Sequence, residues 1–357
     1  MIPLKQRRIT LVGGAGFIGH HLALSLARHG AKVSIVDGLQ VNNLLAFAGA
    51  DHDPRNQELN LAVVNERLEL LRQGGVPLYI LDARDERALS ARLDDLKPEV
   101  LIHLAGVAHA QQSNMDPRSA FEHTLRTLQY SLEYARGNVE HFIFFSSSMV
   151  YGDFSSDSVT EQSPCKPMGI YGSLKYAGEM MVTAHQQVFD LPYTIVRPSA
   201  LYGPRCVSRR VVQVFLENAL RGQDLTVAGD GSDRLDFTYV DDLVDGIVKV
   251  IHHDAAQNQT FNLTFGRSRS INELIDLLSE QLGGLKVTHK PRQVLVPHRG
   301  TLSVDKARDM IGYSPSWPLE RGLGEYAAWY RAAEVGSPGR VAAEPVVASS
   351  MQPCPSL

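Results

Sequence analysis

The chain has 357 residues, 44% hydrophobic and 21% charged, with a formal net charge of -4. This composition excludes a disordered chain, and the scattered, nearly balanced charge excludes a polyanion-binding surface, so no nucleic-acid partner is expected. Its three cysteines, Cys165, Cys206 and Cys354, stand far apart without ligand spacing; neither a disulfide framework nor a metal site is expected, and a reducing, cytoplasmic compartment fits best.

In chain order, "MIPLKQRRITLVGGAGFIG" places basic residues before an apolar stretch, but glycines interrupt it too early for a signal segment or a membrane span. It reads as a first strand. "VGGAGFIGHHLALSLARHGAKVSIVD" then joins strand, helix and second strand. Gly13, Gly16 and Gly19 stand three apart, which serves a tight turn, the approach of a pyrophosphate to backbone amides, and helix packing; Phe17 and Ile18 open the helix beside the same cofactor. Asp37 ends the second strand, where a carboxylate accepts both adenosine ribose hydroxyls and repels a 2′-phosphate, so NAD is expected as cofactor rather than NADP.

Between Asp37 and Tyr79 the chain is long for one crossover. "LNLAVVNERLELLRQGG" reads as an added amphipathic helix and the preceding "AGADHDPRNQ" as a loop. "PLYILD", "VLIHLAG", "HFIFFSSS" and "YTIVRPS" are further buried-strand candidates alternating with helical segments, the pattern of a parallel sheet covered on both faces. "YGSLK" sets Tyr171 and Lys175 four residues apart on one helix face. A free tyrosine titrates near a pKa of about 10, and a neighbouring ammonium favours its phenolate, which makes the pair a candidate base.

After Pro198, "VVQVFLENALRGQ" reads as a helix, "LTVAGDGSDRLDFTYVDD" as strands around a turn, and "INELIDLLSEQLGG" as a helix capped by Ser270 and by Gly283 and Gly284. The fold class is therefore α/β: a Rossmann-like, doubly wound parallel sheet with a smaller, interleaved C-terminal substrate lobe. Residues 1–198 form the dinucleotide-binding part, with 238–263 returning to it; 199–237 and 264–330 form the lobe. Periodicity is lost from about Arg331, and 331–357 is expected to be a disordered tail.

The glycine fingerprint, "HLAG" at 103–106, "SSSMVYG" at 146–152 and "YGSLK" together resemble the extended short-chain dehydrogenase/reductase family, and within it the nucleotide-sugar epimerases and dehydratases. The likeness covers residues 8–330. It implies a catalytic set of Ser147, Tyr171 and Lys175; Asp82 and Ala83 at the adenine; Leu104, Ala105 and Gly106 along the diphosphate-ribose stretch; and Lys175 on the nicotinamide ribose. On the substrate side it implies Ser147 and Ser148 near the sugar, and Arg234 and Arg299 on the substrate pyrophosphate, where planar guanidinium donors match paired oxygens. Tyr171 would take a proton from a sugar hydroxyl while hydride leaves the same carbon, with Ser147 hydrogen-bonding the developing ketone oxygen. The family's helices equivalent to "PRSAFEHTLRTLQYSLEYAR" and "SLKYAGEMMVTAHQQVF" often pair between subunits, which implies a homodimer.

The chain departs from the pattern in places. Met149 stands where the family's dehydratases and decarboxylases carry a glutamate, which removes the group for eliminating water or losing carbon dioxide. His123 and Arg126 replace a usual asparagine and glycine, and Ala200 replaces an asparagine that galactose-type epimerases turn to the substrate phosphates. The added segment after Asp37 looks like that of hexuronate 4-epimerases. What the resemblance then implies is an NAD-dependent nucleotide-sugar epimerase acting at C4 of a UDP-hexose or UDP-hexuronate through a 4-keto intermediate. The alternatives are an NAD(P)H-dependent keto-sugar nucleotide reductase and a non-catalytic dinucleotide sensor. Whether His109 touches the sugar or only packs stays open.

Overall fold

The computed structural model describes residues 2–48, 54–292 and 295–335. Each apolar run of the first two-thirds of the chain becomes a strand: β1 (Arg8–Val12), β2 (Lys32–Asp37), β3 (Leu78–Ile80), β4 (Val100–His103), β5 (His141–Phe145) and β6 (Tyr193–Arg197), joined by β7 (Gln259–Asn262). They make one seven-stranded parallel sheet in the order β7-β6-β5-β4-β1-β2-β3. The order reverses at β1, which lies between β2 and β4, so a crevice opens beyond the carboxyl ends of β1 and β4.

Residue alternation along the strands supplies two cores. Leu11, Ile102 and Ile143 face one side with Leu22 and Leu26 of α1 (Phe17–Arg28). Val12, Leu101, Phe142 and Phe144 face the other, against Leu89 and Leu93 of a helix at Glu86–Leu96 and Leu128 and Leu132 of one at Thr127–Ala135. The segment inserted between β2 and β3 forms α2 (Pro54–Gln73). The stretch from Pro54 to Gln57, read from sequence as loop, is thus the start of that helix; a proline in the first turn gives up an N–H that has no intrahelical partner anyway.

Beyond α3 (Gly169–Phe189), the chain passes through α4 (Val211–Leu220), α5 (Val240–His252), α6 (Ile271–Leu282) and α7 (Leu319–Val335). The helix α5 packs back on α1, and β7 extends the sheet beside β6. Phe215 and Leu216 of α4, Leu274 and Leu278 of α6, and Leu323 and Tyr326 of α7 build a separate cluster, the core of the smaller lobe. Ser270 closes a capping box with Glu273 at the start of α6. The strands expected around one turn do not pair with one another. Leu225–Ala228 pairs with Val287–Lys290, Arg234–Leu235 with Arg269–Ser270, and Thr238–Tyr239 with Leu201–Tyr202. The last helix runs through Val335, past the expected loss of order at Arg331; the rest of the expected tail, 336–357, lies outside the described residues.

Candidate active site

Two clefts open at the carboxyl edge of the sheet and meet along shared walls at Ile18, Leu104, Gly106, Ala108, Leu201 and Arg210. The first is built around the glycine turn after β1. Gly13 has φ +80°, and a Cβ there would stand 2.5 Å from the Ala105 amide nitrogen, so only glycine lets this turn touch the Leu104–Ala105 segment after β4. Gly19 permits α1 to lie on the turn, since its Cβ would meet the Gly14 carbonyl oxygen at 2.3 Å. Gly16 differs: a Cβ there would find only the Gly13 oxygen, at 3.7 Å, and α1 begins without a side-chain cap. Space bare of side chains before uncapped helix N–H groups is a cradle for a phosphate, so the turn fits the expected dinucleotide.

Asp37 accepts from the amides of Ala15 (2.9 Å) and Leu39 (2.8 Å), one on each carboxylate oxygen. Each oxygen keeps a lone pair, and burial pushes the carboxyl above its ordinary value. Asp82 and Ala83 lie across the cleft with Phe17, Leu104, Ala105 and Gly106. Bidentate Arg84 holds the Asp82 carboxyl well below the usual range, and Gln40 donates to it at 3.0 Å. Gln40 also meets His123 at 3.2 Å. His123 therefore lines this first cleft.

The second cleft, an open space of about 1810 Å³, gathers Ser147, Ser148, Tyr171, Lys175 and Arg299. The close approach of α3 brings them together: a Cβ at Gly172 would stand 2.8 Å from the Met149 carbonyl oxygen, so the glycine after Tyr171 lets the helix lie on the turn after β5. Ser147 accepts from the Met149 amide at 3.2 Å, which leaves its hydroxyl hydrogen free to donate into the cleft. Lys175 is 5% exposed and donates to the Phe145 carbonyl at 2.8 Å. Its burial lowers the ammonium pKa to about 8, against the opposing pull of Glu179. Behind it, Ser146 donates to Glu179 at 2.5 Å and Arg197 grips Glu179 at 2.6 and 2.9 Å, which ties β5, β6 and α3 into one rigid wall.

Arg234 is not among the residues that line this cleft. It stands outside the cleft, donating to Ser268 (Nε to Oγ 3.1 Å, Nη2 to the carbonyl 2.7 Å) and pairing with Glu273 at 3.3 Å. Successive strand residues face opposite ways, and it is Leu235 that lines the cleft. Arg299 does line it, with its Nε unpartnered and its pKa lowered to about 10 by burial and by Arg210. Arg209 and Arg210, which sequence reasoning passed over, stand on the same wall; the "RR" immediately before α4 was the available signal. Arg210 donates to the Ala108 carbonyl at 2.7 Å, and Arg209 pairs with Glu217 at 2.8 Å. His109 also lines the cleft, with burial lowering its pKa. Met149 lines it too, and no aspartate or glutamate is among its described lining residues.

Residues 9–264 match the family model described as the NAD dependent epimerase/dehydratase family. A UDP-glucose 4-epimerase of Mycolicibacterium smegmatis is 28% identical over 91% of this chain and 98% of its own. Among solved structures, a UDP-glucose 4-epimerase of Thermotoga maritima with UDP-glucose is 28% identical, with TM-score 0.77 over 91% of this chain and 99% of that one. A UDP-glucuronic acid 4-epimerase of Bacillus cereus, in complex with UDP-glucuronic acid and NAD, is 25% identical, with TM-score 0.80 and the same coverage.

Proposed function

The chain belongs to the NAD-dependent epimerase/dehydratase family, and from that premise we propose that it is an NAD-dependent 4-epimerase of UDP-sugars. The observation that carries this reading is the second cleft: Ser147, Tyr171 and Lys175 share it, while Met149 and the absence of a carboxylate among its described lining residues leave no partner for dehydration or decarboxylation. The comparison proteins named 4-epimerases act on UDP-glucose or bind UDP-glucuronic acid, which supports the same chemistry here.

The chemistry that NAD supplies when bound is removal of hydride from C4 and its return. Tyr171 takes the proton of the C4 hydroxyl and gives it back after the 4-keto sugar has turned in the cleft. Ser147 donates a hydrogen bond to the C4 oxygen as it becomes a ketone. Lys175, fixed on the Phe145 carbonyl, presents its ammonium to Tyr171 and to the nicotinamide ribose. Gly13, Gly16, Phe17, Ile18 and Gly19 hold the dinucleotide diphosphate, Asp37 the adenosine ribose, and Asp82 with Ala83 the adenine. Arg299 and Arg210 meet the substrate diphosphate; both residues line the second cleft. The apolar side chains of Met180 and Val188 on α3, 60% and 69% exposed, support a homodimer. No described helix is long and apolar enough to cross a membrane, in keeping with a cytoplasmic enzyme.

Purified protein should release NAD on denaturation, detected by mass spectrometry, and should interconvert a UDP-sugar pair in heavy water without carbon-bound deuterium. Tyr171→Phe should keep the NAD and lose at least about 100-fold in rate. Deuterium beside the keto carbon would instead indicate enolisation, and stoichiometric NADH consumption a net reductase.

A further inference from the structure

The segment inserted between β2 and β3 delivers a buried cation to the first cleft. Arg67 of α2 is 0% exposed and lines that cleft. Its Nε and Nη2 both donate to the Arg205 carbonyl, at 2.9 and 2.5 Å, and its Nη1 makes a long contact of 3.4 Å to the Asn42 carbonyl. A guanidinium carries five N–H donors, so two find no acceptor among the described residues. Asp37 is close enough to favour the charge, yet no described carboxylate lies within ion-pair distance of Arg67. Burial lowers its pKa only to about 10, which leaves it charged at neutral pH. A buried charge that hydrogen-bonds only to neutral carbonyls, with Asp37 near but not in contact, is left under-compensated.

A chain of hydrogen bonds ties the residue that Arg67 holds to the glycine turn. Arg205, whose carbonyl Arg67 holds, donates from Nε to Nε2 of His20 at 3.0 Å. His20 is fully buried and neutral, its pKa lowered chiefly by burial, and its Nδ1 donates to the Gly16 carbonyl at 3.0 Å. Arg205 also pairs with Glu66, the neighbour of Arg67 on α2, at 3.1 Å. Of the parts of a dinucleotide, only the diphosphate is anionic; the adenine and riboses are neutral, and the nicotinamide ring is positive.

We propose that Arg67 binds the diphosphate of the dinucleotide through the N–H groups that the Arg205 carbonyl leaves free, making the inserted helix part of the cofactor site. This rests on the reading of the first cleft as the dinucleotide site. The same guanidinium anchors the 203–210 loop, in which Arg205 and Arg209 hold left-handed backbone at φ 64° and 48°, and which ends at Arg210 on the wall common to both clefts.

The test is calorimetric titration of the full chain, freed of nucleotide, with ADP and separately with adenosine. Arg67→Met should weaken ADP binding at least about tenfold, the factor for one lost charge-assisted hydrogen bond, and change adenosine binding less than about twofold. Equal losses for both ligands, or no loss for ADP, would overturn the assignment. Should the Met variant fail to fold, Arg67→Lys serves: it keeps the charge but not the fork, and a ratio of ADP to adenosine affinity unchanged from the parent would equally overturn it. A parent chain that binds neither nucleotide would instead reject the dinucleotide reading, and this proposal with it.

Discussion

Lys175 carries its charge where a charge is costly. The unfolded chain holds that proton up to the model-peptide value of 10.5, whereas the folded chain releases it at about 8. Between those values the unfolded state binds more protons, so stability rises with pH; below about 8 both states are protonated and the full penalty, about 3 kcal/mol, is present. Urea unfolding of the parent and of Lys175→Met at pH 7.5 and pH 10 isolates this residue from the other titrating groups. The parent should gain up to about 3 kcal/mol on the variant as pH rises. A difference independent of pH would mean that the ammonium is not disfavoured by the fold. On the proposed mechanism the cost is useful: an ammonium hydrogen-bonded to the Phe145 carbonyl alone would keep its field for the Tyr171 phenol and the nicotinamide ribose.

Elements meet in this molecule where side chains are missing, and the contacts differ in how much they tolerate. At Gly19 the obstacle to a Cβ is backbone, the Gly14 carbonyl at 2.3 Å, and backbone cannot swing aside. Gly19→Ala should push α1 off the glycine turn, costing about 2 kcal/mol or more in urea unfolding and lowering the NAD released on denaturation relative to the parent. Gly324, within α7, has nothing within 4 Å of its would-be Cβ. Gly324→Ala should therefore stabilise by about 0.5 to 1 kcal/mol, because alanine loses less backbone entropy in a helix. The two substitutions are chemically identical, so opposite signs would separate close approach from helix propensity. If both variants unfold alike, the contact at Gly14 is not what demands the glycine.

For the molecule as a whole, the two clefts share a wall at Arg210, so on the proposed reading the cofactor and sugar sites must stay in register across the loop that carries Arg209 and Arg210. Along its C-terminal half, α3 leaves Met180, Val188 and Phe189 exposed at 60%, 69% and 42%. Pairing with a second copy would bury them. Met180→Glu should convert a dimer to a monomer by light scattering while leaving bound NAD in place, since none of these three residues lines either cleft. A parent that is already monomeric would show that these side chains only decorate the surface.

What the sequence determined by itself lies within short stretches. The six apolar runs became neighbouring strands because burial on both faces of a parallel sheet demands uninterrupted hydrophobicity. Gly13, Gly16 and Gly19 were legible because a backbone turn is a property of adjacent residues, and Tyr171 with Lys175 because a helix repeats every turn. Tertiary structure decided what residues far apart do to one another. That Leu235 rather than Arg234 lines the second cleft goes with the pairing of Arg234–Leu235 on Arg269–Ser270. That the short strands from Leu225 to Tyr239 pair with distant segments instead of one another depends on α6 and the final helices closing the lobe. Arg67 lines the first cleft while held by the Arg205 carbonyl, 138 residues further along the chain. Local patterns record what each segment must bury or bend; the guanidiniums take their places from chain closure, and no periodicity marks that.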